Sequence, residues 1–189
     1  LLADSELGGY ESALAEISEA VDALLQISQQ ARRIERTFTE DSTAQATRTL
    51  DAVVQGAVAD ASSPGDVVTT SIPETSLTVE AELEAAIQEL VANALQHADA
   101  AESVVAVTME TTMQGDTPQG TVTVRDTGPG IPENEREVLR EGEETPLLHG
   151  DGLGLWLVNW IVTELGGTID IQDADPHGSV VTITVPLSD

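Results

Sequence analysis

The sequence feature that most constrains the fold is a run of alternating glycines that leads directly into an apolar helix. Gly150, Gly152 and Gly154 alternate, and an apolar stretch reaching Val158 follows without a break. Such a loop lets main-chain N–H groups face inward where a helix begins, and the helix dipole favours negative charge at the same point. The segment therefore predicts an anion site, most often for a phosphate. A glycine-rich turn before a buried helix is the alternative interpretation of this motif alone.

The overall charge narrows the class of partner. The chain has 189 residues, 34 of them acidic and 7 basic, all seven being Arg, with a formal net charge of -27 and no Cys. This length fits one domain plus an appendage, and the lack of Cys excludes disulfides and is compatible with a reducing cytoplasm. Nucleic acid and acidic membranes are poor partners for such a chain, and no apolar run approaches the ~20 residues of a membrane span. We expect a cytoplasmic protein adapted to high salt, where counterions screen the repulsion.

Hydrophobic periodicity divides the chain into two parts. Residues 10–38 predict a long helix, either packed on its own domain or forming the seam of a dimer. Residues 43–61 predict a second helix, and residues 62–65 form a turn. The chain lacks an initiator Met, so we expect a fragment. Downstream, the patterns predict strands at 66–72, 76–79, 102–113, 120–125, 168–172 and 179–185, helices at 80–97, 133–140 and 152–165, and loops at 114–119 and 141–150.

Three polar residues share one edge of the helix predicted at 80–97. Glu89, Asn93 and His97 follow one another at intervals of four residues. A carboxylate and a neutral amide oxygen one turn apart suit a hard cation such as Mg²⁺, which keeps several waters and takes phosphate oxygens. Asn is disfavoured inside helices, so its position asks for a reason. A solvated helix face explains these residues equally well in isolation.

A glycine- and proline-rich turn, Asp126-Thr127-Gly128-Pro129-Gly130-Ile131, directly follows the strand predicted at 120–125. An ionised Asp at the end of a buried strand only accepts hydrogen bonds, and the exocyclic amine of adenine is a good donor for it. Gly128 and Gly130 let the main chain approach a flat ligand. An Asp-initiated turn without a ligand is the alternative interpretation.

The glycine run that begins at Gly150 is not a P-loop. The GxxxxGK[ST] pattern is missing and the chain contains no Lys to reach a phosphate. Phosphate charge would then be met by main-chain N–H groups, by Mg²⁺, and by Arg136 or Arg140.

The three motifs, in this order, resemble those of the ATP-binding domain of histidine protein kinases, within the larger GHKL family shared with gyrase, Hsp90 and mismatch-repair ATPases. Residues 89–94 with His97 resemble the family's Asn box, residues 126–131 its first glycine box, and residues 150–155 its second. The resemblance covers about residues 64–189. Residues 141–160 are similar to the haloarchaeal sensor kinases, in agreement with the charge.

The resemblance implies an α+β fold of the Bergerat ATP-binding type, a two-layer α/β sandwich in which helices cover one face of a mixed sheet. Residues 62–189 would form the ATP-binding catalytic domain, and residues 1–61 the remnant of a helical dimerisation hairpin with its connector. The implied cofactors are ATP and Mg²⁺. The implied partners are a second copy of the chain, through the N-terminal helices, and the receiver domain of a response regulator.

The resemblance also implies a role for each motif residue. Asn93 would ligate Mg²⁺, and Glu89 would polarise the attacking group or act through a metal-bound water. Asp126 would hold the adenine amine with help from Ser179. The other residues expected to bind the nucleotide are His97, Gly128, Gly130, Ile131, Gly150, Gly152, Leu153, Gly154 and Leu155.

Two departures from the family pattern bear on activity. Gln96 stands where many members have a basic residue, so one phosphate contact is lost. The histidines His97, His149 and His177 all lie in the nucleotide half, so we expect the phosphoacceptor outside this chain. The implied function is transfer of the ATP γ-phosphoryl group to a histidine on a dimerisation helix and then to a response regulator. The alternatives are an ATP-hydrolysing clamp of the gyrase kind and a non-catalytic module that senses nucleotide or dimerises.

Overall fold

A computed structural model describes residues 46–97, 104–133, 136 and 153–189. The helix predicted at 10–38, its dimer seam and the loop predicted at 141–150 lie outside these residues. The elements in chain order are β1 (Thr47–Thr49), α1 (Leu50–Ala61), β2 (Val68–Ser71), β3 (Thr78–Glu80), α2 (Leu83–His97), β4 (Val105–Gln114), β5 (Thr117–Arg125), α3 (Leu153–Glu164), β6 (Thr168–Asp173) and β7 (Ser179–Pro186).

Five of the strands form one mixed sheet in the order β2-β4-β5-β7-β6. β2 runs parallel to β4, with Val68 opposite Val105. The other neighbouring pairs are antiparallel. A parallel pair needs a long crossover between its strands, and α2 lies in that connection.

One face of the sheet is apolar and carries the helices, as the two-residue period of a strand allows. Its buried side chains on β5 and β7 are Val122, Val124, Val181, Ile183 and Val185. The intervening threonines point to the opposite face, where the hydroxyls of Thr121 and Thr184 lie 3.4 Å apart and those of Thr123 and Thr182 lie 3.3 Å apart. The α+β sandwich with a mixed sheet is therefore confirmed.

Helix α2 lies at the centre of the helical layer. It packs against α1 and against α3, and it also contacts β4 and β5. Leu83, Ile87 and Leu90 are buried along one stripe of the helix, with the three- and four-residue spacing of an amphipathic helix. Because α2 is held from three sides, the polar edge beside this stripe has a fixed position in the fold.

Helix α1 begins at Leu50 instead of at residue 43. Residues 47–49 form a strand that pairs antiparallel with β3, and the Leu50 N–H donates to the Leu77 carbonyl at 3.0 Å. The domain boundary predicted between residues 61 and 62 would place α1 and α2 in different units. In the structure, both helices contribute to one hydrophobic core. The fully buried side chains that α1 supplies are Leu50, Val53, Val54 and Ala57.

The β4–β5 hairpin is longer than predicted. Pairing continues to Gln114 opposite Thr117, so the loop predicted at 114–119 is wrong. The turn consists of Gly115 and Asp116, and Gly115 has a φ of +65°. A positive φ of this kind is what a two-residue hairpin turn requires.

Within the described part of the chain, no helix is long and apolar enough to cross a membrane. The longest of these, α2, has 15 residues, against the ~20 that a membrane span needs.

Candidate functional site

A cavity of about 200 Å³ opens between α2 and the turn that follows β5. Its lining also includes residues of β5 and β7. The lining residues are Leu90, Asn93, Ala94, His97, Val124, Asp126, Pro129, Gly130, Ile131, Pro132, Ser179 and Val181. Six residues predicted for the site from the sequence therefore meet in one cavity: Asn93, His97, Asp126, Gly130, Ile131 and Ser179.

The polar residues along one edge of α2 differ in burial and in their access to the cavity. Asn93 is half-buried and His97 is exposed, and both line the cavity. Glu89 is only 8% exposed and lies one turn deeper in the fold. The helix thus presents an amide and an imidazole to the cavity, with a buried carboxylate behind them.

The Asp126 side chain is buried, and its carboxylate accepts three hydrogen bonds. Oδ1 accepts hydrogen bonds from the Gly128 N–H at 2.7 Å and from the Ser179 N–H at 3.3 Å. Oδ2 accepts a hydrogen bond from the Ser179 hydroxyl. The Asp126 N–H in turn donates to the Ser179 carbonyl at 3.0 Å. Three donors on the carboxylate fix the orientation of its plane.

Gly128 brings the turn after β5 into contact with the end of α2. A Cβ added at Gly128 would lie 2.6 Å from the carbonyl oxygen of His97. Because that neighbour is main chain, it cannot swing aside, so only glycine fits here. The close approach places residues 126–131 in direct contact with the end of the helix that carries Asn93 and His97.

A second glycine joins the Asn motif to α3. A Cβ added at Gly154 would meet the Glu89 carboxylate, so the beginning of α3 lies directly against α2. Leu155 is 2% exposed and contributes to the hydrophobic core. Gly150, Gly152 and the side chain of Leu153 lie outside what the structure describes.

Arg136, a candidate phosphate contact from the sequence, is engaged by two groups of the protein itself. Its Nε donates to the Ile131 carbonyl at 2.7 Å, and its Nη2 forms an ion pair with Asp173 at the end of β6. A hydrogen bond from Arg136, together with its charge, holds the pKa of the Asp173 carboxyl below its usual range. The same hydrogen bond raises the pKa of the Arg136 guanidinium. Arg140 lies outside the described residues.

The connection between β6 and β7 is tied to the last residue of β5 and to the turn after it by one hydrogen bond each. Arg125 Nη2 donates to the Asp175 carbonyl at 2.6 Å. His177 Nδ1 donates to the Thr127 carbonyl at 2.9 Å. Both contacts were missed from the sequence, because the partners lie 50 residues apart along the chain.

At one end of the cavity, Asp126 and Ser179 present oxygens that accept hydrogen bonds. The described residues that line the cavity include no Arg or Lys. A ligand that offers an amine to Asp126 suits the first feature. A polyanion suits the second only if a cation or main-chain N–H groups meet its charge. The geometry therefore fits a ligand that offers an amine to Asp126.

Residues 78–189 match the family described as histidine kinase-, DNA gyrase B- and HSP90-like ATPase. This match covers more than half of the chain. The chain belongs to that family. The resemblance drawn from the three motifs is thereby confirmed. The residues of this chain that match the family contain every element from β3 to β7.

Sensor kinases are among the relatives of this ATPase-family chain. It is 30% identical over 128 residues to hybrid signal transduction histidine kinase D of Dictyostelium discoideum, an alignment covering 65% of this chain and 8% of that protein. It is 40% identical over 68 residues to the sensory histidine kinase/phosphatase NtrB of Azospirillum brasilense, covering 36% of this chain and 17% of that protein. The chain thus spans less than a fifth of the length of either relative.

Solved structures share the same ATPase-family fold. The mycobacterial sensor histidine kinase MprB superposes with a TM-score of 0.56 at 23% identity, over 77% of this chain and 99% of that chain. Full-length ShkA in complex with AMPPNP superposes with a TM-score of 0.60 at 17% identity, over 94% of this chain and 39% of that chain. Both likenesses concern the fold.

Half of the cavity lining was not predicted as site residues: Leu90, Ala94, Val124, Pro129, Pro132 and Val181. Leu90 and Ala94 belong to the apolar stripe of α2, and Val124 and Val181 to the apolar face of the sheet. The periodicity marks such residues as buried, but it does not say which of them border a cavity. Pro129 lies between Gly128 and Gly130, and Pro132 directly follows Ile131, so their adjacency to predicted site residues is the signal that would have found them.

Proposed function

We propose that this chain is the catalytic ATP-binding part of a sensor histidine kinase. It would transfer the γ-phosphoryl group of ATP to a histidine on a dimerisation helix, and from there to an aspartate of a response regulator. The observation that carries the proposal is the buried, triply bonded Asp126 carboxylate in the same cavity as Asn93. Family membership and similarity to sensor kinases support it.

Adenine recognition is the proposed role of Asp126. Each carboxylate oxygen has more than one lone pair, so Asp126 can accept the exocyclic amine in addition to its bonds from Gly128 and Ser179. The Ser179 hydroxyl gives its only proton to Asp126, so its oxygen is an acceptor toward the ligand. Guanine would bring a carbonyl oxygen to these acceptors, and the repulsion favours adenine.

The proposed residues for Mg²⁺ are Asn93, as a direct ligand, and Glu89, through a water. Among the described residues, no three His, Asp or Glu side chains form a metal cluster. Mg²⁺ commonly takes one or two protein oxygens and fills its shell with water and phosphate oxygens. When bound, Mg²⁺ neutralises charge on the phosphates. The main-chain N–H groups proposed to meet the phosphates are those of Gly150, Gly152, Leu153, Gly154 and Leu155.

Phosphoryl transfer depends mainly on position and charge, with little covalent work for the protein. In this proposal the Glu89 carboxylate accepts a hydrogen bond from one N–H of the incoming imidazole. The other ring nitrogen then keeps its lone pair and becomes the better nucleophile toward phosphorus. The contact of Glu89 with Gly154 keeps that carboxylate beside the start of α3.

We also propose that α1 belongs to the ATP-binding unit, so that its boundary lies before Leu50 instead of at residue 62. The support is the burial of α1 in the core that α2 shares. The preceding residues would form the dimerisation segment that pairs with a second copy. The net charge of -27 and the absence of Lys support a cytoplasm of high salt, of the haloarchaeal kind, as the setting.

Phosphate transfer from labelled ATP tests the function. This chain, joined to a dimerisation helix that carries an acceptor histidine, is incubated with ATP labelled in its γ-phosphate, alongside the Asn93→Ala variant of the same protein. Acid-labile label on the wild-type protein, absent from the variant, supports the kinase. Free phosphate without labelled protein indicates a hydrolysing clamp, and nucleotide binding without either product indicates a sensing module.

A further inference from the structure

The Arg136 side chain connects the turn after β5, which lines the cavity, with the last residue of β6. Its Nε donates to the carbonyl of Ile131, a lining residue, at 2.7 Å. Its Nη2 pairs with the Asp173 carboxylate, at the last residue of β6. Its main-chain N–H donates to the Pro132 carbonyl at 3.2 Å. One residue therefore holds the cavity wall formed by residues 129–132 from both its main chain and its side chain.

The same wall packs against the connection between β6 and β7. A Cβ placed on Gly130 would lie 3.4 Å from the Gly178 carbonyl and 3.9 Å from Asp173 Oδ1. The Asp173 carboxylate thus has the wall on one side and the Arg136 guanidinium as its partner. Loss of either charge would remove this ion pair between the wall's partner Arg136 and the connection.

The exposure of the two partners indicates a local role. The Arg136 side chain is 12% exposed and the Asp173 side chain 75% exposed. Ion pairs with an exposed partner contribute little to global stability. In the described residues, two of three arginines, Arg125 and Arg136, bond to residues 173–175. A chain with 34 acidic and 7 basic residues thus commits two cations to one short connection.

We infer that Arg136, with Asp173, is a positioning residue that sets the place of the Ile131 wall for the adenine base. This inference rests on the proposed function. Arg136 acts through Ile131 and does not contact the phosphates. Its removal therefore weakens every adenine ligand equally, whether the ligand carries three phosphates, two or none.

Binding of ATP, ADP and adenosine tests this inference, with Mg²⁺ present throughout. The variants are Arg136→Met, Arg136→Lys and Asp173→Asn. Arg48→Met is the matched control, because Arg48 forms the other described ion pair, with Glu84, and neither residue lines the cavity. Calorimetry gives Kd for the nucleotides, NMR titration gives Kd for adenosine, and thermal unfolding without ligand checks the fold of each variant.

We expect Arg136→Met to raise Kd about tenfold for all three ligands. The variant loses two charge-assisted hydrogen bonds, which are stronger than neutral ones. A tenfold change is the loss in affinity expected when bonds of this kind no longer hold the wall. Asp173→Asn, which keeps the acceptor but not the charge, should raise Kd about threefold in the same even manner. Arg136→Lys should recover part of the loss, and Arg48→Met should leave Kd unchanged.

Three results would overturn the inference. A larger loss for ATP than for adenosine would assign Arg136 a phosphate contact. Unchanged affinities in both Arg136→Met and Asp173→Asn would show that the wall needs no such pair. Absence of binding by the wild-type chain would refute the proposed function and, with it, this inference. The first two results leave wild-type binding intact, so they refute the inference alone.

Discussion

The Glu89 carboxylate lies against the main chain of Gly154, in the space that a side chain at Gly154 would need. Glu89 belongs to α2, and Gly154 to the first turn of α3. This contact places the proposed catalytic carboxylate at the helix start where phosphates are expected to bind. The absence of a side chain at Gly154 is therefore part of the site's construction.

The first prediction concerns this contact. Gly154→Ala forces the buried Glu89 carboxylate to move, and we expect Mg-ATP affinity to fall about tenfold and stability by about 1–3 kcal/mol, as for other overpacked sites. Gly56→Ala is the matched control, since its Cβ would also meet a glutamate, Glu84. The Glu84 side chain is 24% exposed and can swing outward. Equal effects of the two variants on ATP affinity, measured by calorimetry, would contradict the role given to Gly154.

The second prediction concerns base recognition. Asp126→Asn replaces one acceptor oxygen with a donor, which meets donors from Gly128 and Ser179, and we expect ATP affinity to fall about 10- to 100-fold. Ser179→Ala removes one donor only and should cost less. Glu110→Gln removes an equal charge from an exposed position of β4 and serves as the control. If Asp126→Asn binds ATP as the wild type does, Asp126 does not recognise the base.

The third prediction concerns the pKa of Asp173. Arg136 lowers it in the folded chain from the usual 3.8, so the pair's stabilising effect is present above that pH and is lost as pH falls through the folded value. In Arg136→Met the pKa should return toward 3.8. Carboxyl carbon shifts followed by NMR during a pH titration measure this directly. An identical titration of Asp173 in both proteins would show that the ion pair is absent in solution.

The fourth prediction follows from the net charge of -27. Counterions screen like-charge repulsion, so the thermal unfolding midpoint should rise with KCl concentration. Sucrose at matched osmolality is the control that separates screening from general exclusion effects. A midpoint that falls as KCl is added would refute adaptation to high salt.

The positions of the site residues followed from the sequence where the chemistry is local. Asp126 and the glycines after it are contiguous, and Glu89, Asn93 and His97 lie on one helix edge, so spacing alone grouped them. That Asn93, His97 and Asp126 would meet in one cavity was expected only from the resemblance to a known family.

Long-range pairings could not be predicted in this way. Thr47–Thr49 became a strand because β3, about 30 residues later, supplies its partner. The β4–β5 hairpin extends to Thr117 because Gly115 adopts a positive φ, although the polar residues around it are typical of a loop. Arg136 and Asp173 meet across 37 positions, and no periodic pattern records such a pair.

The most direct measurement is a crystal structure of the chain with Mg²⁺ and a non-hydrolysable ATP analogue. We expect adenine density against Asp126 and Ser179, with the phosphates between Asn93 and the start of α3. Density for the analogue elsewhere, or no density under conditions where calorimetry shows binding, would contradict it.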